Sequence, residues 1–159
     1  MTTHFTATVD KIGHYVEQAR DTTADLIVVL LQTSGLQTDG ALADHADLAA
    51  VLAATNDEAT FTNYVRKTLA TPTRTVDGAL DHVLLGGAAV GTALTLTYTA
   101  AGGTTNNSLG KVLFCYLPAA GAADSLILPL MATDVAATTN GNDLAITLDA
   151  NGFARARRP

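Results

Sequence analysis

A strict alternation of apolar with small or polar residues constrains the second half of this chain more than any other feature. Residues 94–98 read LTLTY and residues 144–148 read LAITL. In an extended strand successive side chains point to opposite faces, so a period of two places the apolar residues on one face. The two segments therefore predict half-buried β-strands. The Asn140-Gly141 pair that precedes the second segment predicts a tight turn.

Other segments of the second half also favour extended structure. Residues 112–117 are apolar at successive positions, which predicts that residues 111–117 form a strand buried on both faces and ended by Pro118. Further short strands are predicted at residues 83–85, 125–128 and 153–157. Gly, Asn and Asp turn signals separate these segments, and no helical pattern long enough for a crossover connection lies between them.

The first half of the chain mixes helical and apolar signals. The apolar spacing over residues 8–19 predicts an amphipathic helix with Thr8 as its N-cap. The continuous apolar run 26–31 predicts a buried core element, either a strand or a helix. Residues 42–52 predict a short helix with Asp47 near its start. Residues 61–69 predict a short helix followed by a strand towards Thr75, with Pro72 marking the transition.

Together these patterns predict a mainly β fold, an antiparallel β-sandwich or barrel with one or two short helices in the N-terminal half. We expect residues 1–22 to form an N-terminal arm or short helix and residues 23–159 to form a single β-rich domain. A chain of 159 residues is long enough to bury such a core without metals or disulfides.

Charge and cysteine content exclude several classes of function. The net charge is −6 and charged residues make up 15% of the chain, against about 25% in an average soluble domain. This acidic balance disfavours binding to nucleic acid or to an anionic membrane. Cys115 is the single cysteine, so no intrachain disulfide forms, and a reducing cytoplasm is expected for folding. No secretory signal or membrane span is expected.

No residue pattern indicates catalysis, a cofactor or a metal site. The four histidines, His4, His14, His45 and His82, lack metal-ligand spacing, and no nucleophile elbow accompanies them. Cys115, in an apolar strand, is expected to be a small core residue. The chain is therefore predicted not to be an enzyme. Alanine and threonine contribute 29 and 25 residues, a neutral composition that suits close packing between subunits.

Several motifs resemble a family of tailed-bacteriophage virion structural proteins. The most specific is residues 56–67, NDEATFTNYVRK, and further similar segments are residues 98–103, Asn106-Asn107, Gly110-Lys111 and residues 152–155. The chain departs from the pattern at Tyr98, where members often carry Trp. The resemblance covers most of the chain and implies a capsid decoration, or cement, protein that binds the outside of the major capsid protein shell.

The resemblance also implies partners and a location. A homo-oligomer, with a trimer favoured, is expected on the virion capsid surface after folding in the host cytoplasm. The alternatives are a tail or head-tail connector subunit and, less favoured because the chain has no Trp and four Tyr, a small glycan-binding module. Three of the six arginines lie in the last five residues, a cationic end that fits an acidic neighbour. The residues predicted to contact partners are Phe5, Ile12, Tyr15, Arg155, Arg157 and Arg158.

Overall fold

The computed structural model of the chain describes residues 2–8, 10–69, 73–77, 82–86, 93–148 and 154–157. In chain order the elements are β1 (Thr2–His4), α1 (Ile12–Asp21), β2 (Asp25–Gln32), α2 (Asp39–Ala43), α3 (Leu48–Ala53), β3 (Lys67–Thr68), β4 (Thr73–Asp77), β5 (His82–Gly86), β6 (Leu94–Tyr98), β7 (Ser108–Leu117), a 3₁₀ turn (Asp124–Leu126), β8 (Leu128–Thr138), β9 (Leu144–Leu148) and β10 (Ala154–Arg157).

The predicted mainly β fold with antiparallel strands is confirmed. The strands form a five-stranded sheet in the order β1-β8-β7-β2-β3, a three-stranded sheet in the order β10-β5-β4 and a two-stranded ribbon of β6 and β9. None of these sheets closes into a barrel over the described ranges. Three short α-helices, rather than the predicted one or two, all lie in the N-terminal half.

The five-stranded sheet is the central layer because both of its faces are covered. Leu26, Val28 and Leu30 of β2 point into one core, with residues of α1 and of the β6–β9 ribbon. Ile27 and Val29 point into a second core, with residues of α2, α3 and the N-terminal segment. The continuous apolar run of residues 26–31 is therefore a strand buried on both faces, which resolves the choice between strand and helix that the sequence left open.

The two-stranded ribbon confirms the prediction from alternation. β6 and β9 pair antiparallel along their full length, with Leu96 opposite Ile146 and Thr95 opposite Thr147. Leu96 and Ile146 are buried, whereas both threonines are exposed. β7, predicted from its apolar run, also forms and ends at Leu117, before Pro118.

The N-terminal helix begins later than the sequence predicted. α1 starts at Ile12, and its N-cap residue, Lys11, makes no side-chain capping hydrogen bond. Thr8 is not the cap: its side chain is buried and its hydroxyl donates to the carbonyl oxygen of Pro129 at 2.8 Å. Thr8 thus ties the N-terminal segment to β8, a long-range contact that local spacing does not reveal.

The predicted helix over residues 42–52 is divided in two. α2 ends at Ala43 and α3 begins at Leu48. Asp47, expected near a helix start, is the N-cap of α3, because its carboxylate accepts a hydrogen bond from the amide of Ala50 at 2.8 Å. Thr38 caps α2 through its hydroxyl in the same way, at 3.4 Å.

The short helix predicted in residues 61–69 is wrong. Residues 61–66 form turns, in which Asn63 adopts a left-handed φ of 69°, and only Lys67–Thr68 form a strand. Long-range contacts described below hold these turns and override the local helical spacing. The later part of the prediction is met by β4, which begins at Thr73. Pro72 lies outside the described residues.

The longest strand, β8, was missed by the sequence reasoning. Residues 125–128, predicted as a strand, instead contribute to the 3₁₀ turn at Asp124–Leu126, and the strand runs from Leu128 to Thr138. Pro129 argues against a strand in sequence, since it cannot donate to the ladder. In the structure Pro129 lies opposite Cys115, where the β7–β8 register shifts, so the missing donor falls at an irregularity of the ladder.

Strands are also present at the two other predicted places. β5 covers residues 83–85, and β10 covers the described part of residues 153–157. The Asn151-Gly152 turn lies outside the described residues.

No helix within the described part of the chain is long and apolar enough to cross a membrane.

Candidate partner-binding surface

The two segments that carry most of the family resemblance pack against each other. The ring of Tyr98 lies edge-on to Phe61, with centroids 5.8 Å apart, and stacks on Tyr64 at 6.0 Å. The amide of Thr62 donates to the carbonyl oxygen of Thr105 at 3.0 Å. Residues about 40 positions apart in sequence therefore form one unit at the end of β6.

Polar side chains of these segments are used inside the protein. The amide nitrogen of Asn56 donates to Gln37 Oε1 at 2.7 Å and to the carbonyl oxygen of Val51 at 3.0 Å. Asn107 accepts the amide of Thr60 at 2.6 Å and donates to Gln32 Oε1 at 2.9 Å. Both asparagines are buried, and they fix the shape of the loops instead of presenting groups to a ligand.

One glycine of the second segment is required by its surroundings. Gly102 has a φ of +95°, and a Cβ at this position would lie 2.2 Å from Asn106 Oδ1. Its neighbour Ala100 also adopts a positive φ, 46°, and Asn63 donates to the carbonyl oxygen of Ala100 at 3.0 Å. The contact with Asn106 explains Gly102, and Gly103 also has a positive φ, 94°, which favours glycine.

Arg66 joins this unit to the 3₁₀ turn. Its Nε and Nη2 donate to the two carboxylate oxygens of Glu58 at 2.8 and 2.7 Å. Its Nη1 and Nη2 donate to the two carboxylate oxygens of Asp124 at 2.5 and 3.0 Å. One guanidinium thus makes two bidentate ion pairs, a geometry that its planar fork of donors permits and that the ammonium of lysine does not. We call Arg66, Glu58 and Asp124 the Arg66 clamp.

Hydrogen bonds extend the clamp into the core sheet. The hydroxyl of Tyr64 donates to Glu58 Oε1 at 2.8 Å and accepts the amide of Leu30 in β2 at 3.1 Å. Burial, followed by the negative charge of Glu58, raises the pKa of Tyr64. Hydrogen bonds to Glu58 and Asp124 raise the pKa of Arg66, and the bond from Arg66 lowers the pKa of Asp124. Both shifts favour the charged forms of Arg66 and Asp124 near neutral pH.

The clamp lies next to two exposed apolar side chains. Val65 is 58% exposed and Leu126 is 59% exposed, and among the residues whose side chains the structure describes they are the only large apolar ones that are exposed. Val65 adjoins Arg66 in sequence, and Leu126 follows Asp124 by two positions. Because Arg66 binds Asp124 directly, the clamp holds the segments that carry both side chains side by side.

The chain just before the 3₁₀ turn carries no charge. Residues 118–123 read PAAGAA, and Ala119, Ala120, Gly121 and Ala123 are exposed. We use the name neutral surface for these four residues together with Val65 and Leu126, all of which are exposed and lie in the two segments that the Arg66–Asp124 ion pair joins. The charges nearest to it in sequence, Arg66 and Asp124, are paired with each other. Little charge would therefore lose its water when a partner covers this surface.

The predicted contact residues do not lie together on one surface. Phe5 is fully buried and Ile12 is buried, so their side chains belong to the chain's own core. Tyr15 is half-buried and packs on Tyr116 with ring centroids 4.9 Å apart. Arg155 and Arg157 lie on β10, opposite Leu84 and His82 of β5. Arg158 lies outside the described residues.

The neutral surface was missed by the sequence reasoning. Val65 and Leu126 look like ordinary core residues in sequence, because nothing local marks an apolar residue as exposed. Arg66 belongs to the most specific motif, which was the one available signal, but its partner Asp124 lies 58 residues away. The pairing becomes visible only in the folded chain.

Other sites considered from sequence have plain structural descriptions. Cys115 is fully buried, which confirms its expected place in the core, and this burial raises the pKa of its thiol. The ring of His45 is hydrogen bonded to Gln37 Oε1 at 2.7 Å. Among the described residues, no cluster of three His, Cys, Asp or Glu side chains has a metal-holding arrangement. A shallow groove of about 370 Å³ is lined by Thr33, Ser108, Leu109, Val135, Ala136, Ala137 and Thr138.

No protein-family model, curated protein or solved structure matches this chain.

Proposed function

We propose that this protein is a bacteriophage capsid decoration protein, which binds the outside of the shell formed by the major capsid protein and stabilises it. The observation that carries the proposal is the neutral surface, with Val65 and Leu126 exposed and braced by the Arg66 clamp. Val65 and the Arg66 that pairs with Asp124 lie in the motif of residues 56–67, which connects this part of the surface to the resemblance described above.

The physical argument rests on preorganisation. Binding costs free energy when side chains and loops must be ordered, so a surface that is already fixed retains more of its contact energy. The four hydrogen bonds of Arg66 fix the two loops before any partner arrives. Apolar side chains at the centre of such a surface are the kind that contribute most to protein association, with uncharged neighbours that exclude water.

The first experiment is to measure the copy number of the chain in purified virions of the phage that encodes it. Quantitative mass spectrometry against the major capsid protein gives the ratio directly. We expect hundreds of copies, near one per capsid subunit. A few to a few dozen copies would contradict the proposal and favour a tail or connector role. Absence from the virion would contradict both of these roles and leave a glycan-binding module as the alternative.

The second experiment tests the surface itself. Shells that lack this protein are mixed with the wild-type chain or with Val65→Asp/Leu126→Asp, and the bound fraction is measured by sedimentation. We expect the variant to lose at least tenfold in affinity, because each new carboxylate must be desolvated against an apolar contact. Ala136→Asp is the matched control, since Ala136 is exposed on β8 about 25 Å along the strand from Leu128. Equal loss in both variants would contradict the assignment of the surface.

A further inference from the structure

The edges of the three sheets differ in how they are protected. In the five-stranded sheet the edge strands are β1, three residues long, and β3, two residues long with Lys67. In the three-stranded sheet the edge strands are β4, with Arg74 and Asp77, and β10, with Arg155 and Arg157. Short length and charge are the usual means by which proteins keep other strands from pairing with an edge.

The ribbon of β6 and β9 has neither protection. Each strand is five residues long, and their sequences, LTLTY and LAITL, contain no charged residue, Pro or Gly. Among the described residues each strand pairs only with the other, so each has one edge without a partner strand. The ribbon is nevertheless held in place, because Leu96, Tyr98 and Ile146 are buried in the core.

The unpaired edges can each pair with an added strand that is uncharged and similar in length. Half of the backbone amide and carbonyl groups of each strand point away from its partner, and an added strand satisfies them. The pairing within the chain shows what fits: β9 matches β6 over five residues, with threonine opposite threonine and leucine opposite isoleucine at successive positions. A charged or bulky partner strand would lose this match on the exposed face.

We infer that the ribbon is a self-association surface, at which the free edge of β6 pairs antiparallel with the free edge of β9 from a second copy of this chain. Both edges are neutral and equal in length. Each copy of the chain has one free β6 edge and one free β9 edge. Such a head-to-tail contact closes into a ring when the rotation between copies allows it. This pairing does not depend on the capsid proposal, since it needs only copies of the chain.

The test compares two lysine substitutions by sedimentation equilibrium. Thr97→Lys places a charge on the exposed face of β6, and Thr68→Lys, the matched control, places the same charge on the exposed edge strand β3. We expect the wild type and Thr68→Lys to form the same oligomer and Thr97→Lys to dissociate at least tenfold more readily. A wild type that is monomeric at about 100 µM protein, where any association with a dissociation constant of that size or smaller is detected, would overturn the inference. So would an equal oligomer of all three.

A second measurement protects the test against a variant that fails to fold. Hydrogen exchange of the unmodified protein is followed at low and high concentration. We expect amides of β6 and β9 to exchange more slowly as the concentration rises, with no such change in β1 or β3. Protection that is independent of concentration would contradict self-pairing. Because neither measurement involves shells, failure here is distinct from failure of the capsid proposal.

Discussion

Two ion clusters of similar composition differ in burial in this protein. In the Arg66 clamp one cation binds Glu58 and Asp124 and joins two surface loops. In the second cluster Lys111 of β7 binds Asp39 of α2, at 2.6 Å, and Asp134 of β8. The side chain of Arg66 is 28% exposed, whereas that of Lys111 is 4% exposed.

The difference in burial leads us to expect that the two clusters control different properties. The side chain of Lys111 is buried and its ammonium binds Asp39 of α2 as well as Asp134, so loss of both carboxylates would leave a charge largely removed from water. The Arg66 clamp lies at the surface, where water replaces lost partners and the energetic cost is smaller. We therefore expect the Lys111 cluster to determine stability and the Arg66 clamp to determine binding, and each prediction below tests this division.

The largest effect is expected from removing the partners of Lys111. Asp39→Asn with Asp134→Asn leaves a buried ammonium without a counter-charge, which costs about 3 kcal/mol of unfolding free energy. Urea denaturation measures the loss. Lys111→Met keeps the aliphatic stem and removes the charge, so this control variant is expected to lose less. A double variant as stable as Lys111→Met would break the proposed role of burial. Shell binding by the folded protein is expected to be unchanged.

A smaller loss of stability and a larger loss of binding are expected from the Arg66 clamp. Arg66→Met removes four hydrogen bonds to two partly exposed carboxylates, at a cost of about 2 kcal/mol. Freed loops then present Val65 and Leu126 in many arrangements, so shell binding is expected to fall at least tenfold. Arg66→Lys keeps the charge without the fork and is expected to fall between wild type and Arg66→Met in both measurements. Unchanged binding in Arg66→Met would show that the clamp does not organise the surface.

The smallest effect is expected from acid. A hydrogen bond from Lys111 lowers the pKa of Asp134 to about 2 and also lowers the pKa of Asp39. Burial lowers the pKa of Lys111, but the hydrogen bonds to both carboxylates outweigh it and the net shift is upward. A carboxyl group with a depressed pKa in the folded state stabilises the fold above its unfolded pKa of about 3.9, and this contribution is lost as the pH falls towards 2.

The acid effect is measured by thermal unfolding between pH 5 and pH 2. These limits lie about one unit above and two units below the pKa of an aspartate in the unfolded chain. The melting temperature is expected to fall through this range in the wild type and to fall less in Asp134→Asn. The difference is expected to be modest, because the side chain of Asp134 is 50% exposed and water screens the pair. If the melting temperatures of both proteins fall equally with pH, Asp134 does not contribute to the stability of the cluster.

Local sequence patterns correctly predicted the strands whose structure follows from their own residues. Alternation identified β6 and β9, and the apolar run identified the core position of β2, because strand period and burial are local properties of sequence. Asp47 was placed near a helix start from the same kind of information. The patterns failed for β8, in which Pro129 occupies an irregular ladder position, and for residues 61–66, in which Arg66 and Tyr64 replace helical hydrogen bonds with distant partners.

The candidate surface was beyond sequence reasoning for a physical reason. Phe5 and Ile12 were predicted to contact a partner, but burial is decided by which elements pack together, and these two residues face the chain's own core. Val65 and Leu126 have the same apolar character and are exposed, since the clamp holds their loops outside the core. Composition gave the neutral character of the surface but not its location.

The amino-acid sequence by itself determined the mainly β character of this protein, its low charge, its single buried cysteine and the position of most strands. These properties follow from residue period, turn residues and residue counts, which involve neighbours in the chain. Only the tertiary structure decided the order of the sheets, the pairing of Arg66 with Asp124 and the exposure of Val65 and Leu126. These three features depend on contacts between residues that are distant in sequence. The free energy of such contacts is gained only when the whole chain has folded.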